Sequence, residues 1–313
     1  MANDRGGITG PGGAVRPKKF WTNKRKDALI GWLFLAPEFM GILVLSLFPL
    51  VFSLYLSFTD WNLVGGLSSI NFVGLDNFKD LFSDEKFYMA LKNNLIFTIV
   101  TVPIGMILAL ILAVLIHSKV YGKEYFKVAF FIPYISSIVA LGAVWSALYH
   151  PSQGPINRFL ISMGIAEPPK WLADTDFSLI SIMIITIWAG IGYQIIIYIA
   201  GLSNIPDDMY EAADIDGASR VQQFFKITMP LLGPTISFLF ITLLMSSFKV
   251  FDLIAFLTNG GPNDSSTVLV YLIFDEGFRN FRMGYASAIS WVLFLIVGVI
   301  TMITWKIQNK SHT

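Results

Sequence analysis

Two charges, Lys249 and Asp252, stand inside a long apolar run, and a third, Glu38, follows Pro37 inside another. Charge at bilayer depth is costly, so such residues face a cavity, a partner or each other. Lys249 and Asp252 lie three apart, which would put them on one helix face and let them neutralise each other. Two further segments mix an aromatic ring with small and polar groups. Trp188, Gly190, Tyr193 and Gln194 fall within two helical turns of one run, and Ser246, Ser247 and Val250 within another. A pyranose has apolar faces and polar edges, so this mixture suits recognition of a sugar. Gly and Ser also serve close helix packing, which is the alternative reading of the same residues. For Glu38 the alternatives are a polar pocket beside the proline, a proton site, or a side chain reaching the interface.

Other chemistries find no residues to carry them. The chain has no cysteine, which excludes a disulfide framework, a thiolate metal site and a cysteine nucleophile. His117, His150 and His312 are isolated, so no metal site is expected, and no H-E-x-x-H pair is present. No G-x-x-x-x-G-K-[ST] loop exists to cradle nucleotide phosphates. A net charge of +1 gives no field that would recruit nucleic acid.

The elements that must position these residues follow from hydropathy. The 313 residues are 55% hydrophobic and 14% charged, against about a quarter charged in a soluble domain. Six segments are long and apolar enough to span a bilayer as helices: 29–58, 95–116, 128–148, 177–202, 231–257 and 286–305. Helices satisfy their own backbone in lipid, and the alternation of a membrane barrel is absent. The expected fold class is therefore an all-α polytopic membrane protein with six transmembrane helices. Trp61, Trp145, Trp171 and Trp305 near the span ends need nothing beyond interface anchoring.

Lys24, Arg25 and Lys26 precede the first span, which is too long for a cleaved leader and is read as retained. Residues 1–28 form a basic tail, 29–308 the transmembrane domain and 309–313 a short C-terminus. With both termini inside, the inner segments hold twice as many Lys and Arg as the outer ones, which places both termini in the cytoplasm. The outer loops then fall near 59–94, 149–176 and 258–284, and the inner loops near 117–127 and 203–230. No internal repeat of the kind seen in many secondary transporters is visible.

The 203–230 loop reads as two short helices. Pro206 suits a first helical position, and Asp207 and Asp208 place negative charge in the first turn. Gly217 can take a positive φ and end that helix. Ser219 and Gln222 have capping-box spacing for a second helix, which should stop before Pro230. Met209, Ala212, Ala213, Phe224, Phe225 and Ile227 are too apolar for a solvated loop. They call for a partner surface or, alternatively, for packing on the chain's own bundle.

Glu211-Ala212-Ala213, then Gly217, Ile227 and Pro230, resembles the EAA loop of binding-protein-dependent ABC importer permeases. Independently, Thr258-Asn259-Gly260-Gly261-Pro262, Ser266-Thr267, Gly277-Phe278 and Gly284-Tyr285-Ala286-Ser287-Ala288 resemble the carbohydrate-uptake, maltose-type branch. Val73-Gly74-Leu75-Asp76-Asn77-Phe78 extends the likeness, which covers about residues 28–308. The resemblance implies a type I importer permease that forms half of a translocation path for a sugar or related small polar solute. It implies as partners a second permease, two cytoplasmic ATPase subunits that bind ATP and Mg, and an extracytoplasmic solute-binding protein, all assembled in the cell membrane among its lipids.

On that resemblance the ATPase-coupling residues are Glu211, Ala212, Ala213, Gly217, Ile227 and Pro230, with Glu211 the principal ionic contact. The positions matching cavity residues of maltose-type permeases are Gly190, Tyr193, Ser246, Ser247 and Val250. Gln194, Lys249 and Asp252 complete the pathway candidates, with Lys249 and Asp252 in a structural or gating role. This chain has Ser246, Ser247 and Lys249 where the maltose-type pattern is rich in Asn, a departure that bears on maltodextrin as the solute. The chain itself would hold no cofactor, and no catalytic residue. An ion-coupled secondary transporter using Glu38, Lys249 and Asp252 is the alternative.

Overall fold

The computed structural model describes residues 20–118 and 122–311. Most of the basic tail expected over 1–28, along with Lys119 and His312, therefore lies outside the described residues. The chain falls into two compact units, 1–53 and 54–313. The described part of the first holds α1 (Phe20–Ile42), a π-helical turn (Leu43–Leu47) and the start of α2 (Phe48–Leu56). Lys26–Leu56 is long and apolar enough to cross a membrane.

The second unit continues with α3 (Asp76–Ser83), α4 (Glu85–His117), α5 (Lys123–Ile135), α6 (Ile138–Leu148), α7 (Pro155–Ser162) and α8 (Ser178–Ser203). Next come α9 (Asp207–Ile215), α10 (Arg220–Gln223), α11 (Met229–Leu231), α12 (Gly233–Ser247), α13 (Asp252–Leu257), α14 (Leu269–Phe274) and α15 (Met283–Ser311). Among the described residues the regular structure is helical, apart from the isolated bridges Thr59 to Phe72 and Asn62 to Arg282. Five helical stretches are long and apolar enough to span a membrane, and a sixth is the bent pair α5 and α6.

That pair corrects the reading of 128–148 as one continuous span. The axis turns by 97° between α5 and α6. Ser136 and Ser137 both take extended backbone, with ψ of 152° and 127°. Pro133, inside the last turn of α5, has already removed a backbone donor from the ladder. Hydropathy registers only that both arms are apolar, so the window average passes straight across the elbow.

The bundle is organised around α4 and α8. In lipid, apolar surface gains little from leaving a hydrocarbon solvent, so close packing must hold helices together. Small residues supply it. At Gly192 of α8 a Cβ would collide with the backbone of Phe130 and Phe131 on α5, so only glycine permits that approach. One core cluster joins Ala109, Ala113 and Ile116 of α4 to Tyr198 and Leu202 of α8 and to Leu232 beside α12. A second joins Phe97 of α4 to Leu179, Ile182 and Ile185 of α8 and to Leu253 and Ile254 of α13.

These clusters sort the loops into two ends. Residues 203–232 gather at the end where α4 and α8 finish. The segments around 59–84, 149–177 and 258–284 gather where they begin. Asp84 caps α4 through Lys86 N at 2.9 Å and accepts a 2.6 Å bond from the Tyr285 hydroxyl at the start of α15. Trp145 and Trp171, expected as simple interface anchors, are built into packing instead: Trp145 meets Trp188 at 5.5 Å, and Trp171 stacks on Tyr149 at 4.9 Å.

Candidate functional site: a polar cavity and an exposed helix pair

Four helices enclose a cavity of 290 Å³. Thr101 and Phe97 of α4, Tyr134 of α5, Thr186, Gly190, Tyr193 and Gln194 of α8, and Thr242, Ser246 and Ser247 of α12 line it, with Val250 just beyond. Six residues singled out from two distant sequence segments thus line one cavity: Gly190, Tyr193, Gln194, Ser246, Ser247 and Val250. Trp188 does not join them, since its ring is turned to Trp145.

The cavity's polar groups differ in how far they are spent. Ser247 is buried and its hydroxyl already contacts Leu244 O at 2.8 Å and Thr98 Oγ1 at 2.9 Å. Thr101, Thr186 and Thr242 donate to carbonyls one turn back, at 2.7, 2.9 and 2.8 Å, leaving only acceptor capacity. Gln194 is 3% exposed, and its Oε1 has no hydrogen-bond partner. A buried carbonyl oxygen left unmatched costs roughly 1–3 kcal/mol. Tyr134 stacks on Tyr193 with centroids 5.0 Å apart, and both rings line the cavity.

Tyr134, Thr101, Thr186 and Thr242 were not picked out in the sequence. Thr and Tyr inside apolar runs carry no spacing signal of their own, and Tyr134 reaches the cavity only because the chain turns at Ser136. Pro133, one residue before it, was the available hint.

A second cavity of 290 Å³ adjoins the first and shares Tyr134, Thr186, Gly190 and Val250 with it. Lys249 and Asp252 line this mouth. The expectation that they share a helix face is corrected: α12 ends at Ser247, α13 begins at Asp252, and Phe251 between them has φ −145° and ψ −55°. No ion pair joins them among the described residues. The helix break separates them and opens both onto the mouth. Glu38 is exposed on α1. Among the described residues no group of three or more acidic or histidine side chains could hold a metal.

At the other end, α9 and α10 form a clasped pair. Gly217 takes φ +74°, and Ala218 N reaches back to Ala213 O at 2.9 Å, closing α9. The capping box is present, with Ser219 Oγ to Gln222 N at 3.3 Å and Ser219 N to Gln222 Oε1 at 2.8 Å. Two contacts that the sequence did not suggest hold the helices together. Gln223 Nε2 donates to the Asp214 carboxylate, and the Tyr210 and Thr228 hydroxyls meet at 2.9 Å.

The second helix does not stop before Pro230, a correction to expectation. It continues through a π-helical turn (Phe224–Thr228) into α11, where Met229 N bonds Phe224 O. The widened turn absorbs the donor that Pro230 lacks, and the chain breaks only at Leu232. Ile227 and Tyr210 pack against the core, while Met209, Glu211, Ala212, Ile215, Val221, Phe225 and Pro230 are exposed and Ala213 is half-buried. Among the described residues Glu211 forms no ion pair.

Residues 84–309 match the family model described as "Binding-protein-dependent transport system inner membrane component". The chain belongs to this family. The permease is 35% identical to the probable ABC transporter permease protein YesP of Bacillus subtilis (strain 168), over 91% of this chain and 92% of that one. It is also 35% identical to the lactose transport system permease protein LacF of Rhizobium radiobacter, over 90% and 94% of the two chains. Its fold superposes with a TM-score of 0.80, at 24% identity, on a chain from the crystal structure of a bacterial alginate ABC transporter in complex with alginate pentasaccharide-bound periplasmic protein, covering 92% and 96%. The permease is thus a multi-pass inner-membrane component of a binding-protein-dependent transport system, and nothing in the fold or these likenesses supports the ion-coupled alternative.

Proposed function

We propose that this permease forms half of the path by which an ATP-driven importer moves a sugar or related small polar solute. The observation that carries the substrate side is the cavity lined by the stacked Tyr134 and Tyr193 rings and by Gln194, whose oxygen has no partner. A sugar offers an apolar face to the rings and a hydroxyl donor to Gln194. With the adjoining mouth, the space reaches the range of about 300–1,000 Å³ typical of small-molecule sites. The relatives that transport sugars favour the same solute class. Lys249 and Asp252 face the mouth, where they can order water or meet a solute's charged group.

The coupling side rests on the exposed face of α9 and α10. Glu211 and Ala212 sit on it with Met209 and Phe225, and a cleft in a separate cytoplasmic ATPase is the partner such a face fits. ATP and Mg belong to that partner, and closure of a pair of ATPases would shift the helix pair, switching access to the cavity. Gly217 makes the turn between the two helices of this lever, and the second helix runs past Pro230 to Leu232. A second permease completes the path, and the N- and C-termini lie in the cytoplasm, which makes the α9 and α10 end inner and the opposite end outer.

Uptake into vesicles holding the assembled transporter, with internal ATP and external solute-binding protein, tests both sides. Glu211→Ala should abolish ATP-dependent uptake while insertion is retained, and Gln194→Ala should raise the solute KM. Uptake that persists without ATP would sink the importer reading.

A further inference from the structure

The cavity bounded by α4, α5, α8 and α12 holds no charged side chain among the described residues that line it. Its hydroxyls are disposed in one sense. Thr101, Thr186 and Thr242 give their protons to the carbonyls of Phe97, Ile182 and Phe238, each one turn back in its own helix. Each oxygen can then only accept. Ser247 is committed as well: its proton goes to Leu244 O, and its oxygen takes the Thr98 proton where α4 meets α12. Gln194 adds a buried carbonyl oxygen with no partner. Three helices therefore set the negative ends of these dipoles about one cavity, and no cation stands among them.

Such a lining treats two forms of one sugar skeleton differently. A hydroxyl of an uncharged sugar brings a proton that the lining can accept. A carboxylate or phosphate brings lone pairs and a full charge of the same sign as the fixed dipoles, into a space whose remaining lining is mostly apolar. Burying an ion without a paired charge costs far more than burying a polar group that finds its bond. Ser246 is exposed on the lining and can donate, which serves a sugar's oxygens but does not offset a whole charge. Lys249 and Asp252 line the adjoining mouth together, and their charges sum to zero. The mouth thus orders water and gives an anion no net attraction. Family likeness leaves the solute's charge open, since the similar proteins include an importer of the acidic polysaccharide alginate and a lactose permease. The lining of the cavity decides between them.

We propose that the cavity is a charge filter at the membrane step itself: it passes an uncharged sugar or polyol and turns back the carboxylate or phosphate form of the same skeleton. The inference rests on the importer reading above and narrows its solute class. Because the chain has no cysteine, Ser246→Cys places a thiol on the lining, and Val64→Cys, at a position 75% exposed after α2, serves as reference. The assembled transporter in lipid nanodiscs is treated with iodoacetamide or iodoacetate, which are nearly equal in size and differ in charge, and alkylation of this chain is followed by mass spectrometry. The ratio of the two rates cancels differences in thiol reactivity and access. At Ser246→Cys the neutral reagent should be favoured on the order of tenfold more than at Val64→Cys. Adding Thr242→Lys, one turn earlier on the same face of α12, should bring the ratio back toward the reference. Equal ratios at the two positions would overturn the filter, as would a thiol at 246 that neither reagent reaches. Vesicle uptake of glucuronate or glucose 6-phosphate as fast as that of glucose, with internal ATP and external binding protein, would overturn it too. Equal ratios with ATP-dependent uptake intact leave the importer reading standing, whereas uptake that persists without ATP removes that reading while the ratio still reports on the cavity.

Discussion

The Tyr134 ring lies on the Tyr193 ring, centroids 5.0 Å apart and planes 20° from parallel, joining the last turn of α5 to the middle of α8. Such a pair contributes about 0.5–1.5 kcal/mol beyond its buried area. Both rings also line the cavity proposed for the solute, so the stack fixes an aromatic wall that neither helix could hold steady alone. Tyr134→Ala and Tyr193→Ala should each raise the KM for solute uptake by about two- to tenfold. Tyr134→Phe keeps the stack and should stay near the native value. Equal KM values for the alanine variants and the native transporter would show that the rings do not meet the solute.

Gln194 predicts a trade of stability against function. Its Oε1 is buried without a partner, so Gln194→Leu replaces an unmatched acceptor by an apolar group of similar size. The variant should match or exceed native thermal stability, by about 1 kcal/mol at most, while solute affinity drops. Melting in detergent and binding by the assembled transporter read the two effects separately. A clear loss of stability would mean that the amide already has partners in the folded protein.

The clasp between Gln223 and Asp214 makes the exposed helix pair one body. Gln223→Leu removes this bond from Asp214, which stays exposed and 3.9 Å from Arg220, and should cost about 0.5–1.5 kcal/mol of local stability. Hydrogen exchange over 207–231 should speed up, and ATP-dependent uptake should fall with solute affinity unchanged. A double-mutant cycle with Asp214→Ala isolates the pair: additive effects on exchange would remove the clasp from the explanation.

Gly217 stands at φ +74° with open space around its α-carbon. A Gly217→Ala chain meets backbone strain and no collision, so the expected cost is about 1 kcal/mol, with uptake reduced and not abolished. Gly217→Asn tolerates the left-handed conformation better and should recover much of the loss. If asparagine and alanine behave alike, conformation at this position is not what matters.

Asn94 is fully buried on α4 and accepts from Leu269 N at 3.2 Å while donating to Ser247 O at 3.4 Å. Asn94→Leu strands both backbone groups and should lower the melting temperature of the transporter more than any of the cavity variants. Asn94→Asp keeps the acceptor alone and should fall between. A leucine variant as stable as the native protein would contradict the bonding seen here.

What could be read from the sequence was local. Long apolar runs marked the membrane-crossing stretches because a lipid environment leaves a helix no other way to satisfy its backbone. The closing glycine of α9 and the capping box of α10 were legible because each involves neighbours a few residues apart. Two separated segments that mix aromatic, hydroxyl and amide groups in apolar surroundings were also legible, and they meet at one cavity.

What the sequence could not supply depends on contacts between distant residues. The elbow at Ser136 and Ser137 is invisible to a hydropathy window, yet it brings Tyr134 to Tyr193. The break after Ser247 separates Lys249 from Asp252, a pair that spacing alone placed on one face. The π-helical turn carries α10 past a proline that should have ended it. Composition and period determined that this chain lies in a membrane as a set of helices, since those properties act residue by residue. Which hydroxyls are spent, which amide is left open and which rings meet was decided only by tertiary packing, because hydrogen bonds and van der Waals contact act over a few ångströms in space, whatever the distance along the chain.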